Sequence, residues 1–171
     1  MVPGASRMTY FLSLGSNLGR PRSNLAKAAR LLGERGVEVV RASSIYRTEP
    51  VGRLDQPWFE NQVLEVRTDL DPESLLKVVR SIEAAMKRVR AVPRGPRTID
   101  IDILLAGDLM IVSDDLTVPH PRLAERRFVL VPLAEIAPGI VHPVLKKTVR
   151  EILRETRDRS AVVKASRRPV G

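Results

Sequence analysis

Apolar residues recur along this chain with two periods, and the switches between them lay out its elements. The run TYFLSL from Thr9 to Leu14 reads as a buried strand that ends in the turn Gly15-Ser16-Asn17-Leu18-Gly19. Pro21 then suits the first turn of a helix whose Leu25, Ala28, Ala29 and Leu32 repeat at i, i+3, i+4 and i+7, with Gly33 or Gly36 as its stop. A β-branched strand follows from Val37 to Tyr46, then a polar connection from Thr48 to Pro57, then a third strand, WFENQVLEVR. Asp71 is an N-cap ahead of Pro72 at the first helical position, and Leu75, Val79, Ile82 and Met86 form the apolar stripe of a second helix. Beyond a basic loop comes a fourth strand, IDIDILL, after which Gly107-Asp108 turns the chain into the hairpin strand LMIV. The segment FVLVPLAEI is a helix or a buried run. Residues 1–8 read as a loose leader, with Met1 or Met8 as the start, 1–156 as a single domain, and 157–171 as a basic flexible tail. The order β-α-β-β-α-β, with an added hairpin and C-terminal helices, predicts an α+β sandwich of ferredoxin-like arrangement and a mostly antiparallel sheet.

The same alternation carries candidate chemistry. On a strand Ile99, Ile101 and Ile103 enter a core while Asp100 and Asp102 project together from the other face, roughly 6.6 Å apart along the chain. That spacing suits one or two hard cations that complete their shells with water and phosphate; the alternative is an ordinary amphipathic strand with a wet acidic face. Upstream, Gly95 and Pro96 bend the chain and Arg97 offers a guanidinium fork to an anion. Phe59 and Asn61 share a strand face, where a ring can stack and a carboxamide can read an amide-like edge, or where a core Phe and a surface Asn simply alternate. His120 sits between Pro119 and Pro121, which restrict its backbone, and its role stays open on the residues alone. Gly15 and Gly19 match neither phosphate-loop pattern and read as turn glycines.

Composition narrows the partners. The formal net charge of +9 favours a polyanion: nucleic acid, an anionic membrane surface or a phosphorylated small molecule. One Trp, two Tyr and three Phe leave few stacking platforms for a single strand, and no specific nucleic acid is expected. There is no cysteine, so disulfides, thiol catalysis and thiolate metal sites are excluded. Apolar runs stay far below the ~20 residues of a membrane span, and a cytoplasmic monomer is expected.

Seven segments in order resemble one family, the 6-hydroxymethyl-7,8-dihydropterin pyrophosphokinases: LGSNLG at Leu14 to Gly19, SSIYRTEPVG at Ser43 to Gly52, DQPWFENQV at Asp55 to Val63, IEAAMKRVR at Ile82 to Arg90, GPRTIDIDILL at Gly95 to Leu105, TVPHPRL at Thr117 to Leu123 and RFVLVPLAEIAP at Arg127 to Pro138. The resemblance implies transfer of diphosphate from ATP to the pterin hydroxymethyl group, releasing AMP, in folate biosynthesis. On it, Asp100 and Asp102 would hold two Mg2+ ions, and Arg88 and Arg97 would contact phosphate. ATP would further meet Glu83, Ile103, Thr117, His120 and Arg126. The pterin would meet Thr48, Val51, Asn61 and Asp100 between the rings of Phe59 and Phe128. Three departures stand out: Arg94 where the family usually has an aromatic residue, Glu49 for a common proline, and Asp115 where a basic residue is frequent.

Two other readings fit parts of the sequence. A two-metal nucleotidyltransferase would use the same carboxylates but release diphosphate. A non-catalytic basic RNA-binding module would bind RNA in a salt-dependent way without needing Asp100 or Asp102.

Overall fold

The computed structural model describes residues 7–52, 54–86 and 96–165. In chain order its elements are β1 (Met8–Ser16), α1 (Pro21–Glu34), β2 (Glu38–Ala42), β3 (Tyr46–Thr48), β4 (Phe59–Thr68), α2 (Pro72–Ala85), β5 (Asp100–Ala106), β6 (Ile111–Val112), β7 (Thr117–Val118), a 3-10 turn at Leu123–Glu125, α3 (Arg127–Ile136), α4 (Val149–Glu155) and β8 (Val162–Lys164). The fold is α+β. Its main sheet runs β5-β1-β4-β3-β8, with β2 also on β4, and every pairing is antiparallel. Among the described residues no helix is long and apolar enough to cross a membrane.

The first two helices form where the sequence supplies their ends. Pro21 opens α1, and Gly36, at φ +81, follows its last turn in a conformation that L side chains resist. Asp71 caps α2 by accepting the Ser74 N–H at 2.8 Å. Both helices lie on one sheet face, where Leu25, Leu32, Leu75, Val79 and Ile82 meet Tyr10, Leu12, Leu14, Ile101 and Ile103. The opposite face is covered only in part: Phe11, Val63, Leu104 and Leu105 pack under Val129, Leu130, Leu133 and Ile152 of α3 and α4. Further along that face, the positions following in step are Ser13 and Gly15, Phe59 and Asn61, and Asp100 and Asp102, and none of these belongs to the apolar cluster. The candidate site therefore lies where helix cover on the second face stops.

Several expectations need correction. Met8 belongs to β1, opposite Thr68, and Arg7 pairs with Glu38 at 2.6 Å, so the leader does not extend to residue 8. Gly15 is a strand residue, between Asn61 and Asp100, whereas Gly19, at φ +72, is a turn glycine as expected. The single strand expected over 37–46 is two, β2 and β3. Val40 bulges from the register, and the Val63 N–H goes to Ser43 Oγ, so a side chain takes the place of a ladder carbonyl. LMIV does not fold back on β5: the Leu104 carbonyl is taken by the His120 N–H at 2.9 Å, and β6 pairs with β7 instead. The run starting at Arg127 is a helix, resolving that alternative. Within the expected flexible tail, β8 adds main-chain pairing to the open edge of β3. Its three residues are too few to show a period.

Candidate functional site

Two cavities meet at the start of β5. The first, of about 190 Å³, is lined on the sheet by Ser13, Gly15, Phe59, Asn61, Asp100 and Asp102, and on its walls by Thr48, Glu49, Val51, Arg97, Arg122, Arg126 and Phe128. The second, of about 420 Å³, lies on the other side of β5. Glu83 and Val79 of α2, Ile103, Thr117 and His120 line it, together with Arg80 and the turn Ser113–Asp115. Arg97, Asp100, Asp102 and Arg126 border both. Two small molecules could thus face each other across this pair of carboxylates.

The first cavity is built by close packing at Gly15. A Cβ added there would fall 2.5 Å from Asn61 Oδ1, so the carboxamide can occupy its place only because position 15 lacks a side chain. Asn61 is 4 % exposed and donates from Nδ2 to Thr48 Oγ1 at 2.6 Å. One amide N–H remains for a ligand, with Oδ1 as acceptor. Across the cavity the Arg126 guanidinium sits 5.5 Å from the centre of the Phe128 ring.

Charge is concentrated where the cavities join. Arg97 Nη1 donates to Asp100 Oδ2 at 2.5 Å, and Asn17 holds the Arg97 backbone from both sides, accepting its N–H at 2.8 Å and donating to its carbonyl at 3.1 Å. Asp102, 43 % exposed at its side chain, has His120 Nε2 at 3.9 Å and Arg126 Nη1 at 4.0 Å, beyond hydrogen-bond reach but close enough to feel their charge. Burial pushes the His120 imidazole below the ordinary histidine value; Asp102 pulls it back up, while Arg126 and Arg122 add to the depression. Burial likewise lowers Arg126, opposed by Asp102. Glu83 is nearly buried and accepts the Ile101 N–H at 3.3 Å, which fastens α2 to the acidic strand.

All the described positions expected for pterin, Thr48, Val51, Phe59, Asn61, Asp100 and Phe128, line the first cavity. Those expected for ATP, Glu83, Arg97, Ile103, Thr117, His120 and Arg126, line the second. Arg88, and with it Lys87 and Arg94, lies outside the described residues. Ser13, Gly15, Glu49 and Arg122 border the first cavity without having been marked as site residues, and Asn17 buttresses it; only the close-packing partner of Gly15, on a strand distant in sequence, reveals its role. As a donor set, Asp100 and Asp102 fit a cation that draws its other ligands from phosphate. Among the described residues there is no group of three or more His, Cys, Asp or Glu able to hold a metal by itself.

A family model described as 7,8-dihydro-6-hydroxymethylpterin-pyrophosphokinase (HPPK) matches residues 11–138. The chain belongs to this family. Among HPPK relatives, the 2-amino-4-hydroxy-6-hydroxymethyldihydropteridine pyrophosphokinase of Methylorubrum extorquens is 47% identical over 144 residues, covering 84% of this chain and 90% of that protein. The enzyme of the same name from Bacillus subtilis is 47% identical over 127 residues, 74% of this chain and 76% of its own length. The folic acid synthesis protein fol1 of Pneumocystis carinii is 42% identical over 134 residues, 78% of this chain, which spans only 18% of that longer protein. The solved structure of wild-type HPPK-DHPS from Plasmodium falciparum shares the fold at a TM-score of 0.71 and 19% identity, covering 88% of this chain and 43% of that one.

Proposed function

We propose that the protein transfers a diphosphoryl group from ATP to the hydroxymethyl oxygen of 6-hydroxymethyl-7,8-dihydropterin, releasing AMP, as a step of folate biosynthesis. The observation that carries this reading is the junction itself: an aromatic, amide-lined cavity and a larger polar cavity share Asp100, Asp102, Arg97 and Arg126. The pterin lies between Phe59 and Phe128, its ring edge read by Asn61, with Thr48 and Val51 alongside. ATP lies on the other side, its phosphates against Arg97, Arg126 and His120 and its adenosine toward Glu83, Ile103 and Thr117. The pterin oxygen then attacks the β-phosphorus while the bond from that phosphorus to the α-phosphate oxygen breaks and the hydroxyl proton is lost. This chain's contribution is placement: both reactants meet at the start of β5, so attack becomes effectively unimolecular. Arg97 and Arg126 set two positive charges against the developing negative charge.

Asp100 and Asp102 are the residues that would hold Mg2+, two ions in our reading, and when bound these supply charge neutralisation across the triphosphate oxygens. The strand order β5-β1-β4, flanked by β2 and β3, supports a ferredoxin-like sandwich for the first five strands. ATP as donor supports a cytoplasmic site of action.

The test is incubation of the purified protein with ATP and 6-hydroxymethyl-7,8-dihydropterin, with and without Mg2+, followed by nucleotide chromatography. AMP is expected, and only with the metal. Diphosphate release, the signature of nucleotidyl transfer, or ADP would overturn the reading. Asp100→Ala and Asp102→Ala should each lower kcat by at least about a hundredfold while circular dichroism stays unchanged, because each deletes a charge aimed at the reacting phosphates.

A further inference from the structure

The walls of the first cavity come from elements far apart in sequence. Thr48, Glu49 and Val51 form one, and the start of α3, with Arg126 and Phe128, forms the other. A segment beyond the family match, which ends at Pro138, bonds to both. Asp158 Oδ2 accepts the N–H of Arg127, the first residue of α3, at 2.8 Å. No side chain caps α3 from its own N-cap position, so the carboxylate at its positive end comes from a residue distant in sequence. Three residues later the Ala161 N–H donates to Glu49 Oε1 at 2.7 Å, the Glu49 N–H donates to the Ala161 carbonyl at 3.2 Å, and the chain continues into the ladder in which Val162 opposes Thr48. Between the two attachments the turn is fixed by the Ser160 N–H, which donates to Asp158 Oδ1 at 2.9 Å. Val51, Arg126, Asp158 and Ser160 line one surface groove, so the link passes directly behind both walls.

We propose that residues 158–162 are a strap that sets the spacing of the two pterin walls, with Glu49 and Asp158 as its positioning residues. Thr48 pairs with Phe59 and Phe128 stands on α3, so a flat ring between the two phenyl groups is sensitive to that spacing: a shift of an ångström opens a gap on one face and forfeits contact there. Neither residue touches the phosphates of the reaction. The strap therefore acts chiefly on the pterin side, and reaches the nucleotide side only through Arg126, which borders both cavities. The substrate assignment rests on the function proposed above; the mechanical link between the walls does not.

Two measurements separate these. In the ligand-free full chain, amide hydrogen exchange at Arg127 reports the α3 wall and exchange at His120 reports the nucleotide side. Glu49→Ala removes the side-chain attachment at the strap's far end and keeps the main-chain pairing there, yet should speed exchange at Arg127 about tenfold, with His120 unchanged. In steady-state kinetics, Glu49→Ala and Asp158→Ala should raise KM for the pterin about five- to tenfold, the equivalent of one lost hydrogen bond, and KM for ATP by a clearly smaller factor. Glu49→Gln keeps an acceptor for the Ala161 N–H, so exchange at Arg127 should stay at the rate of the unaltered protein. Glu49→Asp keeps the charge but shortens the reach, so it should follow Glu49→Ala and serves as a second cut if the alanine variant does not fold. Unchanged exchange at Arg127, or both KM values rising together, would overturn the strap. Failure of the unaltered protein to form AMP would overturn the function instead, and the exchange data would still decide the strap.

Discussion

Gly15 shows how one missing side chain shapes the site. Its strand neighbours are Asn61 and Asp100, and an added methyl would overlap the Asn61 carboxamide oxygen. Gly15→Ala should therefore push Asn61 away from Thr48 and out of register with a pterin edge. The loss of a buried hydrogen bond is worth about 1–3 kcal/mol, so KM for the pterin is expected to rise at least about fivefold with KM for ATP little changed. Steady-state kinetics with each substrate varied in turn checks this, and equal effects on both would contradict the assignment of the cavities. At this scale the sequence is informative where residue type and spacing carry the chemistry: Asp100 and Asp102 share a face because strands alternate, and Phe59 and Asn61 do so for the same reason. It is silent on Asn17. That buried amide joins Gln56 Oε1 and the Pro57 carbonyl to the backbone of Arg97, three points that become neighbours only in the folded sheet.

Elements divide the work in a way that mutation can separate. On α2 the face that buries Leu75 and Ile82 continues into Val79 and Glu83 at the nucleotide cavity. On α3, Leu130 is buried two residues after Phe128. Ile82→Ala and Leu130→Ala each remove a large, fully buried side chain and should each cost about 2–5 kcal/mol in urea unfolding. Their kinetic signatures should differ: Ile82→Ala is expected to raise KM for ATP preferentially, and Leu130→Ala KM for the pterin. Helices α1 and α2 were legible because Pro21, Asp71 and Pro72 mark their starts and their apolar stripes are long; α3 stays open in the sequence between a helix and a buried run. The short strands were not. The division of β2 from β3 depends on the Ser43 hydroxyl, and β8 depends on the unpaired edge of a strand more than a hundred residues earlier. Even the phase of β5 hides a step: the register shifts opposite Phe11 and Leu12, so Leu104 and Leu105 both pack toward α3 while Ile101 and Ile103 face α2.

For the whole molecule, acid sensitivity follows from where the two histidines sit. Burial depresses both: His120 at the site, where Arg126 and Arg122 deepen the effect that Asp102 opposes, and His142 in the turn before α4, whose Nδ1 accepts the N–H groups of Val144 and Leu145. A base whose folded pKa lies below its unfolded value takes up fewer protons in the native state, so stability rises with pH across that interval. The contribution is fully present above about pH 6.5, the ordinary histidine value, and is lost as pH falls from there through the lower folded values. Carboxylates such as Asp158, where burial raises the pKa but hydrogen bonds from Ser160 and Arg127 outweigh it, act only in a more acidic window, below the ordinary aspartate value. Urea unfolding between pH 5 and 8 should therefore show stability falling toward pH 5, and His120→Gln together with His142→Gln should flatten that slope even if the variants start from a lower plateau. ATP should flatten it as well, because phosphates beside His120 favour its protonated form. A slope that survives both substitutions would place the titrating groups elsewhere.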